Sequence, residues 1–361
     1  MTSLPERHVM VQAMLESNPL FEGVFFTAVK TTRIFCRPTC PARKPRPENV
    51  EFYAKAEDAM TAGYRPCKRC TPLQLKGDAP AEVQTLLQEM EKAPQKRWSD
   101  AELQQSGLDP VFLRRWFKTH YGMTFHAYAR ARRLGKALGQ LEQGESIDAA
   151  ALDHGYQSLS GFRDAFQHHV GTQPGKSKDA RVLVFSRILT PLGPMLALAE
   201  DRGVVLLEFT DRPALPAELE ELKGRYGYSI LPGAHPHLSR LDAELQAYFA
   251  GQLLRFTVPL HMPGTDFQQK VWRALLDVPH GETRTYGELA RQMGQPLASR
   301  AVGRANGQNR LAIVVPCHRI VGAGGDLTGY GGGIPRKEHL LKLEKKALEQ
   351  PTLFSEGAVS A

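Results

Sequence analysis

The chain has 361 residues, too many for one ordinary domain, so two to four are expected. Its apolar fraction of 42% is enough for real cores, and no window reaches the ~20 apolar residues of a membrane span. The net charge of +8 points to an anionic partner.

That charge is uneven. Residues 261–348 carry 13 Lys/Arg against 7 Asp/Glu and residues 1–78 carry 12 against 8, whereas residues 181–260 carry 8 against 9. The start shows no charged segment followed by an apolar one, so no secretory signal is expected. Five cysteines, four of them in a metal-like spacing, fit a reducing cytoplasm better than a disulfide framework. Loop-like stretches at Gly77–Pro80, at Gly171–Lys178 and after about Ala347 divide the chain. The expected parts are residues 1–78, 79–178, 179–262 and 263–348, with a disordered tail at 349–361.

In the first part, Cys36-x3-Cys40 and Cys67-x2-Cys70 are paired thiols on proline-bearing turns. Such a set closes a tetrahedral zinc site. The bland alternative is an inert structural zinc. Against it stands a dense basic collar of Arg33, Arg37, Arg43, Lys44, Arg46, Arg65, Lys68 and Arg69. A metal-bound thiolate also stays deprotonated and nucleophilic at neutral pH. The run Thr31–Arg43, with Asn49–Tyr53 and Ala62–Cys70, resembles the zinc domain of the bacterial Ada adaptive-response family. The resemblance implies that Cys36 accepts a methyl group from a DNA methylphosphotriester, and that Thr32, Arg43 and Arg65 touch the DNA backbone. Arg33 stands where that family usually has glycine. Loss of one thiolate charge on methylation would raise affinity for DNA.

The second part reads as two helix-turn-helix units. A helix ending near Gly107 is followed by one capped by Asp109 with Pro110 in its first turn. Leu113, Trp116 and Phe117 face inward, leaving Arg114, Arg115 and Lys118 for DNA. A second unit follows at Ile147–Phe166, and together the two resemble the AraC-type regulator domain. Asp164, Ala165 and Gln167 depart from that family at stations that are often basic there, so the resemblance implies that the first unit dominates the grip.

In the third part, short apolar runs at Val182–Phe185 and Gly203–Phe209 predict a small sheet, with a helix near Leu238–Ala250. The fourth part begins with an amphipathic helix at Phe267–Leu275. Two more helices, at Tyr286–Ala290 and Ser299–Ala305, suggest a further helix-turn-helix whose small residues Ala301 and Gly303 permit close approach of a partner.

Ala312–Val315 reads as a strand, in which neighbouring side chains point to opposite faces. Pro316 ends it and puts Cys317 and His318 on a turn, where His318 can take the thiol proton directly or through a water. Glu344, on the last helix, is a candidate to orient the imidazole. Thr285–Ala290, Arg300–Gly303, Asn309, Pro316–Arg319, Gly329–Gly333 and Lys337…Leu341…Glu344 resemble the O6-alkylguanine-DNA alkyltransferase family.

That resemblance implies Cys317 as alkyl acceptor, His318 as its base, Glu344 as orienter and Asn309 as brace. It further implies Tyr286 meeting the flipped guanine, Arg300 filling the gap in the base stack, and Tyr330 and Gly331 walling the alkyl pocket. Arg304 adds backbone affinity. Arg310 and Gly331 depart from a common proline and a frequent serine; the first would leave the Asn turn less rigid, the second would change tolerance for larger alkyl groups.

The expected protein is multidomain α+β: a small zinc domain, an all-α double helix-turn-helix domain, and an α+β alkyltransferase with a sheet subdomain and a winged-helix-like DNA-binding subdomain. The expected activity is a single-turnover DNA repair methyltransferase, acting on O6-methylguanine and O4-methylthymine, that doubles as a methylation-triggered activator. Zinc and no organic cofactor, double-stranded DNA, RNA polymerase, a monomer, no membrane and a nucleoid-associated cytoplasmic location complete it. A regulator that only senses alkylated DNA and a thiol hydrolase are the alternatives.

Overall fold

The computed structural model describes residues 4–74, 79–93 and 95–349. Of the tail expected at 349–361, Glu349 belongs instead to the last helix and the remainder lies outside the described residues, as do Gly77–Asp78 of the first expected loop. Among the described residues no helix is long and apolar enough to cross a membrane.

The N-terminal part runs α1 (Arg7–Glu16), β1 (Phe26–Val29), β2 (Ile34–Cys36), β3 (Val50–Tyr53), α2 (Ala56–Thr61) and β4 (Arg65–Pro66). Its sheet has the order β3-β1-β2-β4, with β2 and β4 parallel. That pairing brings the turns after β2 and β4 side by side, and each turn carries two cysteines.

The helical part comprises α3 (Ala81–Lys92), α4 (Asp100–Gln105), α5 (Pro110–Tyr121), α6 (Phe125–Glu142), α7 (Ile147–Asp153) and α8 (Leu159–Val170). Local chemistry sets its boundaries. Ser99 and Glu102 form a capping box on α4, and the Asp109 carboxylate accepts from Val111 N–H at the start of α5. Gly107 (φ +79°) and Gly122 (φ +72°) turn the chain in the left-handed region. Leu113, Trp116 and Phe117 are buried as their spacing predicts, and Arg114, Arg115 and Lys118 are exposed.

The C-terminal half opens with β5 (Val182–Thr190), β6 (Gly193–Glu200), β7 (Gly203–Phe209), α9 (Leu215–Gly224), β8 (Ser229–Pro232) and α10 (Pro236–Phe249). The sheet order is β7-β6-β5-β8, with β5 and β8 parallel. It is covered on both faces. Leu183, Phe185, Leu198, Val205 and Leu206 share one core with Leu86, Trp98, Phe117 and Tyr128 of the helical part. Ile188, Met195, Ala197, Val204 and Leu207 share another with α10 and the last part of the chain. Strand β7 is therefore buried at every residue, which is why its sequence runs apolar without alternation.

The last part has α11 (Asp266–Leu276), β9 (Arg284–Thr285), α12 (Tyr286–Gln292), α13 (Ser299–Gly307), β10 (Ile320–Val321) and α14 (Ile334–Glu349), with β9 and β10 parallel. Trp272 Nε1 donates to Ala305 O at 2.9 Å, tying α11 to α13. Gly303 faces the Tyr286 ring of the same chain, and a Cβ there would make an ordinary contact with it at 3.6 Å, so the ring does not require glycine.

The strand expected at Ala312–Val315 is not formed. Leu311, just ahead of it, bridges to β7, through Leu207 N–H to Arg310 O (2.8 Å) and Ala312 N–H to Leu207 O (2.9 Å). The chain then coils through successive turns, with Ile313 at φ +71°. These residues are apolar because they are buried on all sides, so the run carries no strand period.

Leu206 sits in the core shared by the sheet and the helical part. Leu206→Ala is expected to cost about 2–5 kcal/mol, read from urea unfolding followed by the buried Trp98 and Trp116.

Candidate metal centre and buried thiol site

The four N-terminal sulfur atoms converge. Those of Cys36, Cys40, Cys67 and Cys70 all lie within 4.8 Å of one another, with Cys40 and Cys67 at 4.0 Å. Without a cation such a cluster cannot hold four negative charges. The Cys36 thiol is pushed up by its hydrogen bond to Cys70, by burial and by the charge of the other sulfurs. Cys70 is drawn down to about 6, chiefly by that same hydrogen bond. Four soft donors at this spacing fit one tetrahedral zinc ion.

Thr32, Arg43 and Arg65 line the cleft that opens over Cys36, together with Lys44, Lys68 and Arg69. Arg37 does not join that collar. Its guanidinium is buried, pairs with Glu22 Oε1 at 2.6 Å and donates to the carbonyls of Cys70 and Thr71, while its backbone N–H meets Cys70 Sγ at 3.5 Å. It is a pin behind the sulfur cluster. Arg33 takes φ +54°, the left-handed region that glycine occupies without strain, and lays its guanidinium over the Tyr64 ring.

The second centre is buried. After Pro316, a 3-10 turn at Cys317–Arg319 leaves Cys317 only 6% exposed. Asn309 Nδ2 donates to Cys317 Sγ at 3.1 Å and to Val315 O at 2.9 Å, and its Oδ1 accepts from Leu311 N–H. Burial pushes the thiol up to about 11, and the Asn309 hydrogen bond opposes it.

His318 Nε2 meets Glu344 Oε1 at 2.8 Å, both side chains being fully buried. Glu344 also accepts from Tyr248 Oη at 2.8 Å, from Arg319 Nε at 2.9 Å and from Gly281 N–H at 3.0 Å. Burial alone would raise this carboxyl, but the hydrogen bonds of His318 and Arg319 and the arginine's charge win and hold it well below the usual carboxylate range. Burial holds His318 down, in its neutral form. Its Nδ1 is buried without a protein hydrogen-bond partner among the described residues.

Around this core, Lys337 Nζ donates to Thr328 O at 2.7 Å and to Ile320 O, and burial lowers it to about 8. Tyr330 is buried, its ring 6.4 Å from His318. Tyr286 is half-buried, and a Cβ on Gly329 would fall 2.7 Å from its hydroxyl. Arg300 and Arg304 stand exposed on α13.

Arg310 does not loosen the Asn309 turn. It is buried, donates to Pro263 O at 2.8 Å and pairs with Glu221 of α9, so an ionic clamp takes the place of the ring. Sequence reasoning missed Tyr248 and Arg319 as partners of Glu344, which lie 96 and 25 residues away from it. It also missed Glu208 and Arg212 near the thiol. The one available signal was a glutamate inside the apolar run of β7.

Two outcomes follow from this geometry. Metal analysis should find one zinc per chain, and Cys67→Ala should abolish it and open the N-terminal part to proteolysis while the helical part stays resistant. The second concerns acid. Glu344 and His318 are both held below their ordinary values of 4.5 and 6.5, so each contributes stability above its ordinary value that is lost as pH falls. Acid unfolding of the C-terminal half should therefore set in below about pH 6.5 and steepen below about 4.5, and Glu344→Gln should flatten the second phase.

Family models match the chain in four segments. The metal binding domain of Ada matches residues 9–72, and a helix-turn-helix domain matches 104–179. The ribonuclease-like and DNA binding domains of 6-O-methylguanine DNA methyltransferase match 183–262 and 266–346. The bifunctional transcriptional activator/DNA repair enzyme Ada of Escherichia coli (strain K12) is 34% identical over 347 residues, covering 94% of this chain and 96% of its own. The regulatory protein ada of Salmonella typhimurium is 36% identical, covering 91% and 94%. The methylated-DNA--protein-cysteine methyltransferase of Mycobacterium bovis is 48% identical over 171 residues, covering 47% of this chain and 98% of its own. With a full-length relative above 30% identity and four matched segments in the same order, the chain belongs to the Ada family.

Proposed function

We propose that Cys317 is the acceptor through which this DNA repair methyltransferase removes the methyl group from O6-methylguanine, and from O4-methylthymine. The observation that carries the reading is a buried thiol held by Asn309, followed directly in the chain by a histidine paired with the buried Glu344. The reacting base must leave the stack, which costs a few kcal/mol; Arg300, exposed at the start of α13, fills the gap, and Tyr286 meets the extruded base. Neutral His318 takes the thiol proton at Nδ1 through a bridging water, and Glu344 holds the ring and stabilises the imidazolium. The thiolate attacks the methyl carbon, the S–C bond forms as the C–O bond breaks, and the electron pair leaves on guanine O6. His318 supplies the proton that neutralises the departing base. Tyr330 and Gly331 wall the pocket. A thioether has no exit, so each chain reacts once.

In the N-terminal part Cys36, Cys40, Cys67 and Cys70 hold zinc, which keeps the sulfurs as thiolates. Cys36 sits in the cleft with Thr32, Arg43 and Arg65, which we assign to the DNA backbone. Its sulfur takes a methyl from a methylphosphotriester, and the phosphodiester leaves with the electron pair. Four thiolates on a divalent cation carry a net charge of about −2, and a thioether at Cys36 removes one negative charge facing the phosphates. That gain switches on the transcriptional activator: Arg114, Arg115 and Lys118 of α5 read the promoter, and α8, with Asp164 and Gln167 on its exposed face, grips weakly. Arg304 adds backbone contact.

We assign residues 1–78 to phosphotriester repair, 79–178 to promoter binding, 179–262 to the sheet subdomain and 263–348 to the repair of bases. RNA polymerase is the proposed partner of the activated form, a monomer at the nucleoid.

Methylated duplex DNA mixed with the full chain should place one methyl on the peptide bearing Cys317 and one on that bearing Cys36, read by mass spectrometry. Cys317→Ala and Cys36→Ala should each abolish one signal and spare the other. Promoter binding in a gel shift should rise on methylation in the parent and in Cys317→Ala but not in Cys36→Ala; binding unchanged by methylation of Cys36 would overturn the switch.

A further inference from the structure

One ion-pair group beside the acceptor thiol comes from outside the alkyltransferase motifs. Glu208, fully buried in β7, pairs with Arg212 in the turn after it, and Glu218 of α9 lies 3.3 Å from the same guanidinium. That guanidinium donates to Asn309 O at 3.2 Å and to Gly307 O at 2.9 Å. It thus grips the backbone of the residue whose side-chain amide bonds Cys317 Sγ and Val315 O.

Arg212 also explains a departure in the glycine loop. A Cβ at Gly331 would fall 2.7 Å from Arg212 Cζ, 2.8 Å from Nε and 2.9 Å from Nη2. A free arginine would swing aside, but this one is held by two carboxylates and two carbonyls, and leaving them unpaired in a buried site is costly. Residue 331 therefore has to be glycine while residue 212 is arginine.

We infer that Arg212 is a positioning residue for methyl transfer: from the sheet subdomain it fixes the Asn309 turn against Cys317, and it occupies the place a side chain at residue 331 would take. The inference rests on Cys317 being the acceptor. Arg212 also acts on the thiol through its charge, together with Lys337 and Glu208. Loss of the guanidinium lets the turn, and with it the sulfur, drift from the line of attack.

The test is single-turnover transfer from duplex DNA bearing O6-methylguanine to the full chain, across DNA concentrations, for the parent, Arg212→Lys, Arg212→Met, Gly331→Ser and the double variant Arg212→Met/Gly331→Ser. Arg212→Met should lower the maximal rate by about 10- to 100-fold and leave the half-saturating DNA concentration unchanged. Arg212→Lys should restore part of the rate. Gly331→Ser should slow the parent but add nothing to Arg212→Met.

A maximal rate for Arg212→Met within about twofold of the parent overturns the inference, as does an equal cost of Gly331→Ser in both backgrounds. The urea unfolding transition followed by the buried Trp98, Trp116 and Trp272 reports whether each variant folds. If Arg212→Met fails that check, Gly331→Ser decides alone, and a parental rate for it sinks the inference. No methyl on Cys317 of the parent sinks the reading of Cys317 as well; methyl on Cys317 at full rate in Arg212→Met sinks this inference only.

Discussion

Strand β7 is the constraint on which the rest is hung. One face packs on the helical part, the other on the last part of the chain, and its open edge pairs with Arg310–Ala312. A strand buried on both faces has no register freedom, because slipping by one residue would exchange the sides that its residues pack against. The two edge hydrogen bonds therefore fix the backbone just ahead of the thiol. The turns from Ala312 to Pro316 are built out from that anchor, and Ile313 in the left-handed region shows how tightly the path is determined. A β-branched residue there costs on the order of 1–3 kcal/mol and persists only where its surroundings dictate it.

The two thiol centres solve opposite electrostatic problems. Around Cys317 the thiol is protonated and His318 neutral, and each fully buried carboxylate has its partners: Glu344 is surrounded by donors and Glu208 pairs with Arg212. A bare carboxylate in such a place would cost several kcal/mol; hydrogen bonds from Tyr248, Arg319, Gly281 and His318 offset it. Reactivity is created only when a proton moves. Around Cys36 four sulfurs crowd into one site, and a divalent cation must carry the charge. The same element thus stands as a buried, protonated thiol in one half and as part of a four-sulfur, metal-binding cluster in the other.

What the sequence reveals depends on how local the physics is. The metal centre is legible because each pair of cysteines shares one turn, and the spacing states the geometry. The capped start of α5 is legible for the same reason, since Asp109 and Pro110 act within one turn. Ala312–Val315 is misleading because burial on all sides erases period; apolar residues there say only that the site is dry. Arg37 looks like part of a basic surface, and only the fold shows Glu22 beneath it. The clamp of Arg310 on α9 joins residues 89 apart, and Glu344 gathers donors from α10 and the Cys317 turn. No spacing rule announces such partners.

The way the parts are joined follows from the same cores. The helical part and the sheet share one apolar cluster in which Phe185 meets the rings of Tyr121 and Tyr128, so parting them would bare that whole face. The N-terminal part rests on the rest through a narrow contact: Leu20 against Gly333, Pro19 O on Arg336, and Gly23 packed on Pro191 with no room for a Cβ. A change of charge at the sulfur cluster acts within the smaller, more lightly held unit. The sheet, the helices docked on it and the Cys317 turn hung from its edge form the larger, continuously packed unit.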